Sequence, residues 1–175
     1  MRPPSGGVFG RVAPAVVSTI RVRMRAIQND CGAGDAKDRV DAIIRDWRHR
    51  PSNVGREIAK LGIASVPYIE YKTRSHNERV RYVALQILTV QLNPRLASLV
   101  PPRAEYARLR AAITPIMIRA LSDVSPKIRR LAVSQVSSLC TPEEAVTYLR
   151  PLLDDPSPNV RLEAAQAHDH LSIRH

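Results

Sequence analysis

The chain has 175 residues, of which 44% are apolar. That suffices for one domain with its own core or for one short repeat array, and it argues against wholesale disorder. Lys and Arg number 27 against 16 acids, and no run reaches the roughly 18 consecutive apolar residues of a membrane-spanning helix. Aromatics make up only 4%, so Ala, Val, Leu and Ile carry the apolar content, as in close-packed helices.

The net charge of +11 is uneven: residues 1–120 hold 21 bases and 9 acids, residues 121–175 hold 6 and 7. An anionic partner is therefore expected to meet the N-terminal part. Cys31 and Cys140 fit no metal or redox spacing, which favours reduced thiols and a cytoplasmic setting.

In chain order, residues 1–35 stand apart. MRPPSGGVFGRVAPAVVSTIRVRMRAIQN carries five Arg and no acid. It reads as a basic disordered arm, with an organellar transit peptide or sequence upstream of a start at Met24 as alternatives. The transit-peptide reading would make the protein organellar. CGAG, residues 31–34, reads as a linker.

From residue 36 onward apolar positions recur helically. The periodicity predicts paired helices over 36–48 and 53–61, then 66–72 and 77–91. Residues 106–121, disturbed near Pro115, pair with 126–139, and 142–153 pair with 158–171. Ser125-Pro126 and Ser157-Pro158 read as helix starts, with a side-chain acceptor at the N-cap and a proline at the first helical position. Thr141 to Glu144 has capping-box spacing, and so has Ser75 to Glu78.

The chain also repeats itself. LSDVSPKIRRLAVSQV, residues 121–136, resembles LLDDPSPNVRLEAAQA, residues 152–167, and matching the two at an offset of 32 puts Arg129 on Arg161. Asp123 falls on Asp155 and Ala132 on Ala164. A weaker copy, NERVRYVALQIL, places Arg81 and Ala84 in the same roles, with Ser75 where the other copies have Asp. Periods of this size belong to stacked helical hairpins. The apolar helix, Asp, Ser-Pro turn, Val-Arg and small residue together resemble the HEAT repeat, particularly its short bacterial-type form. The resemblance covers roughly residues 36–171. It implies an all-α, right-handed α-α superhelix of about four helical hairpins over 36–175, with a role in binding.

Asp123 and Asp155 can accept from backbone N–H groups at helix starts, and Arg129 and Arg161 can reach turn carboxylates. These four residues therefore read as structural repeat residues. A basic candidate surface comprises Arg45, Trp47, Arg48, Arg50, Lys72, Arg74, Arg79 and Arg81.

Catalytic motifs are missing from the reading. The five histidines match no metal pattern, and the chain has no His-Glu pair, the metal signature expected of hydroxylases built from HEAT-like repeats. No nucleophile elbow or phosphate-cradling loop appears, and no cofactor is expected. Cys140, near the end of an apolar helix, reads as a structural thiol, and His168 as part of a half-covered terminal face. The leading expectation is a non-enzymatic scaffold for a protein partner, on its own or as a subunit of a larger assembly. The alternative is a nucleic-acid module, a ribonucleoprotein component or a repair protein resembling the HEAT-like alkylpurine glycosylases, binding RNA or DNA through its basic half. The shortage of aromatic walls for an extruded base weighs against glycosylase chemistry.

Overall fold

The computed structural model describes residues 31–47, 54–93 and 103–172. The basic arm expected over residues 1–30 lies outside them, and so do Arg48 and Arg50. The helices are α1 (Cys31–Asp46), α2 (Val54–Ala59), α3 (Val66–Lys72), α4 (Glu78–Gln91), α5 (Arg103–Ala120), α6 (Pro126–Leu139), α7 (Pro142–Leu149) and α8 (Pro158–Ser172). A 3-10 turn at Ile63–Ser65 precedes α3, and another at Arg150–Asp154 prolongs α7. The described residues contain no strand.

The last three predicted pairs form, but the first does not: α1 packs on the Ile63–Ser65 turn and on α4, and α2 packs on α4. α3 packs on α4, α5 on α6 and α7 on α8, while the second helices of these hairpins stack in a row, α4 on α6 on α8. Burial follows the apolar stripes. Val83, Ala84, Ile87 and Leu88 of α4 are buried, as are Ile128, Ala132, Val133, Val136 and Leu139 of α6, and Val160, Ala164 and Leu171 of α8. The buried alanines let the helix rows approach closely. One continuous core results, running from Val40 of α1 to Leu171 of α8, as expected where each hairpin covers its neighbour's apolar face.

Three local readings are corrected. Residues 31–34 are not a linker but the first turn of α1. Glycine weakens a helix by about 1 kcal/mol without forbidding it, and the Arg39–Asp35 pair at 2.9 Å braces the turn that follows. Pro115 does not break α5, which continues past it to Ala120. Its ring lies on the exposed side, where solvent can satisfy the carbonyl it leaves without a donor. The caps at two helix starts also differ. Asn77, not Ser75, caps α4, its Oδ1 accepting from the backbone N–H groups of Arg79 at 2.9 Å and Val80 at 3.4 Å. Ser125 occupies the N-cap of α6 without a side-chain capping bond. The carboxylate of Asp123 accepts from the Ser125 N–H at 2.8 Å instead. Thr141 and Glu144 form the expected capping box at the start of α7.

One turn depends on glycine. Gly62, between α2 and α3, has φ of 59°, the left-handed region that an L side chain enters at a cost. Its carbonyl accepts from Ser65 Oγ at 2.8 Å, and Ser65 Oγ in turn accepts from Gln91 Nε2 at 3.0 Å, so a buried polar link fastens this turn to α4.

Candidate binding face

The turn Asp and helix Arg of successive repeats form a ladder. Arg81 donates from Nε to Asp123 Oδ2 at 2.8 Å and from Nη2 to Oδ1 at 3.0 Å, while its Nη1 donates to the carbonyls of Ser75 and His76 at 2.9 and 3.1 Å. Arg129 repeats the arrangement one hairpin later. Both contacts to Asp155 measure 2.7 Å, and Nη1 reaches the carbonyls of Asp123 and Val124 at 2.8 and 3.1 Å. Each guanidinium thus closes the turn of its own repeat with one nitrogen and grips the next repeat with its fork. Fork-to-carboxylate pairing of this kind is both strong and directional. The carboxylates then close the following turns, Asp155 accepting from the Ser157 N–H at 2.8 Å as Asp123 does from Ser125.

The electrostatics agree. The paired hydrogen bonds from Arg129 hold the Asp155 carboxyl below its ordinary range against the upward push of burial, and the Ser157 N–H helps. The same bonds, with Asp123 and Asp155 as acceptors, push the guanidinium groups of Arg81 and Arg129 upward. Arg161 begins a third rung, with Nη1 donating to the carbonyls of Asp155 at 2.7 Å and Pro156 at 3.2 Å.

The basic residues nominated from sequence are dispersed among different tasks. Arg81 is buried in the ladder. Lys72 sits 2.8 Å from Asp41, which also accepts from the Tyr68 hydroxyl at 2.6 Å, so this cluster joins α1 to α3. Its bond to Asp41 raises the Lys72 ammonium above its usual value. Burial pushes the Asp41 carboxyl up but is outweighed by the Lys72 and Tyr68 bonds. Burial, then the bond to Asp41, raises the Tyr68 phenol. Arg74 pairs with Glu70 at 2.8 Å, and Arg119 reaches the same oxygen at 3.1 Å. Trp47 packs against the core, whereas Arg45 and Arg79 are exposed. Arg74 and Arg81 meet in the wall of one depression of about 460 Å3 at the turn between the second and third hairpins, with His76, Arg119 and Ser122.

A second surface was missed by the sequence reading. Tyr82 and Gln86 of α4, Lys127, Arg130 and Ser134 of α6, and Glu163 of α8 line a groove of about 270 Å3 across three successive second helices. Lys127 and Arg130 also line an adjoining depression of about 250 Å3 with Pro126, Ser157 and Asn159. Lys127 Nζ lies 4.0 Å above the Tyr82 ring, a cation–π contact. No ion pair joins Lys127 or Arg130 to a described carboxylate. The signal was present: Lys127, Arg130 and Ser134 share the face of α6 opposite Ile128 and Ala132. Helical spacing alone does not say what α4 and α8 place beside them.

Among the described residues no group of His, Cys, Asp or Glu is arranged to hold a metal ion, and no helix is long and apolar enough to cross a membrane. Burial raises the Cys140 thiol, against the reactive thiolate form.

Stacked hairpins joined by an Arg–Asp ladder, with a groove across their second helices, define an α-solenoid. A family model described as HEAT repeats matches residues 65–169. The chain belongs to the HEAT-repeat family. No curated protein and no solved structure matches it.

Proposed function

We propose that the protein is a non-enzymatic scaffold that holds a protein partner along the face of α4, α6 and α8. The observation that carries this reading is the groove shared by three consecutive second helices. Its central cations, Lys127 and Arg130, form no ion pair with a described carboxylate, while Arg81 and Arg129 in the hairpin turns are engaged. Cations beside an aromatic ring and short polar side chains suit an acidic or polar protein surface, with charge setting orientation and on-rate. Family membership supports the same class of function, since stacked repeats present extended binding surfaces.

The test compares the tagged wild-type chain with a Lys127→Glu/Arg130→Glu variant expressed in the native host, with bound proteins quantified by mass spectrometry. Both side chains are exposed, so circular dichroism and the melting temperature should stay close to wild type. A specific protein whose recovery falls about tenfold or more supports the reading, that factor being worth about 1.4 kcal/mol. Equal recovery of every protein with both chains overturns it. Recovery of RNA or DNA in its place, lost as salt rises, would instead establish the nucleic-acid alternative.

A further inference from the structure

The third rung of the ladder is half made. Arg81 and Arg129 each spend Nη1 on the carbonyls six and five residues upstream, and this fixes the guanidinium so that Nε and Nη2 face the next repeat's carboxylate. Arg161 makes the same pair of carbonyl bonds, to Asp155 and Pro156. Its side chain is therefore set in the same pose, but its Nε and Nη2 have no acceptor among the described residues. Beside it Leu162 is 58% exposed.

The geometry points to Arg161 as a carboxylate-recognition site, which takes an Asp in the turn before a helix of a partner protein and extends the ladder in trans. The occupant follows from the two complete rungs. In each, the fork meets a carboxylate that also accepts a backbone N–H at a helix start, as Asp123 does from Ser125 and Asp155 from Ser157. A second copy of this chain fits poorly, because Asp123 and Asp155 are occupied within their own fold and the equivalent turn of the preceding repeat has Ser75. The rest of this face of α8 suits a reversible partner more than a permanent one. Val133 and Val136 are buried in α6, and the residues that take their places in α8 are Ala165 and His168, one smaller and one polar, both only partly buried. The contact is thus a docking point with the exposed Leu162 as its apolar neighbour, and it does not depend on the groove.

The experiment is a nuclear magnetic resonance titration of the full chain with a capped peptide, Asp-Pro-Ser-Pro-Asn, and with the same peptide carrying Asn in place of Asp. The Arg161 Nε–H signal should shift saturably with the Asp peptide, and the Leu162 and Glu163 backbone amides should follow. The Asn peptide should leave them near their starting positions. In the Arg161→Lys protein, which keeps the charge and loses the fork, the Asp-specific shifts of those amides should disappear. Shifts no larger than those of the exposed Arg79, or equal for both peptides, or retained in Arg161→Lys, would overturn the assignment.

Discussion

At the scale of the residue, Arg129 and Arg161 occupy one place in the repeat and carry different loads. Asp155 is only 6% exposed, so Arg129→Ala strands a buried carboxylate and should cost about 3–5 kcal/mol. Arg161→Ala loses bonds to two turn carbonyls at an exposed site and should cost roughly 0.5–1.5 kcal/mol. Urea unfolding of the two variants measures the difference, and equal losses would contradict the ladder. The pH dependence has a definite sign. Because Arg129 first, and the Ser157 N–H after it, hold the Asp155 carboxyl below its unfolded value against burial, the pair stabilises the fold above the ordinary carboxylate pKa of about 3.9. That contribution is lost as pH falls through the lower folded value. Asp155→Asn should therefore be less stable near neutrality and show a shallower loss of stability below about pH 4. A parallel acid limb in both proteins would remove Asp155 from the account. Both ladder residues were legible from the repeat alignment, because the same pair recurs at one spacing. Which cations stay unpaired was not, since the partners of Arg81 and Arg129 lie 42 and 26 residues away.

At the scale of the element, helix existence was readable because apolar period, proline and turn residues all agreed, whereas cap identity was decided by tertiary context. Ser125 before Pro126 is a good N-cap by local rules. Asp123, held by Arg81, accepts the N–H of Ser125 itself, and the serine hydroxyl makes no capping bond. Ser125→Ala should accordingly cost less than the roughly 1 kcal/mol usual for removing a cap, while Thr141→Ala, which breaks a complete capping box, should cost about that much. Thermal unfolding distinguishes the two, and a reversed order would refute the cap assignment. Pro115 was expected to disturb α5, but its outward position makes the disturbance local. Pro115→Ala should stabilise by about 2 kcal/mol. That is the roughly 3 kcal/mol helix penalty of proline less about 1 kcal/mol of unfolded-state entropy that proline withholds. A lower melting temperature in the variant would show that Pro115 is required for packing.

At the scale of the whole molecule, stability is a property of neighbours: each hairpin closes its own turn and is covered by the next, through buried alanines and a ladder rung. Ala132 lies fully buried between helix rows, and Ala132→Glu should cost several kcal/mol by placing an unpaired charge there. The stacked row of second helices followed from the aligned repeats, but the groove needed coordinates. It is formed by the exposed sides of α4, α6 and α8, whose side-by-side placement no single stripe reveals. The central claim is that this row is the surface that meets a protein. The most direct measurement installs a photo-crosslinking amino acid at Ser134 in the groove, or at the exposed Thr147 on α7, and irradiates cells of the native host. The account predicts a discrete protein adduct from Ser134 and none of matching mass from Thr147. The same adduct from both positions, adducts to nucleic acid alone, or no adduct from Ser134 would contradict it.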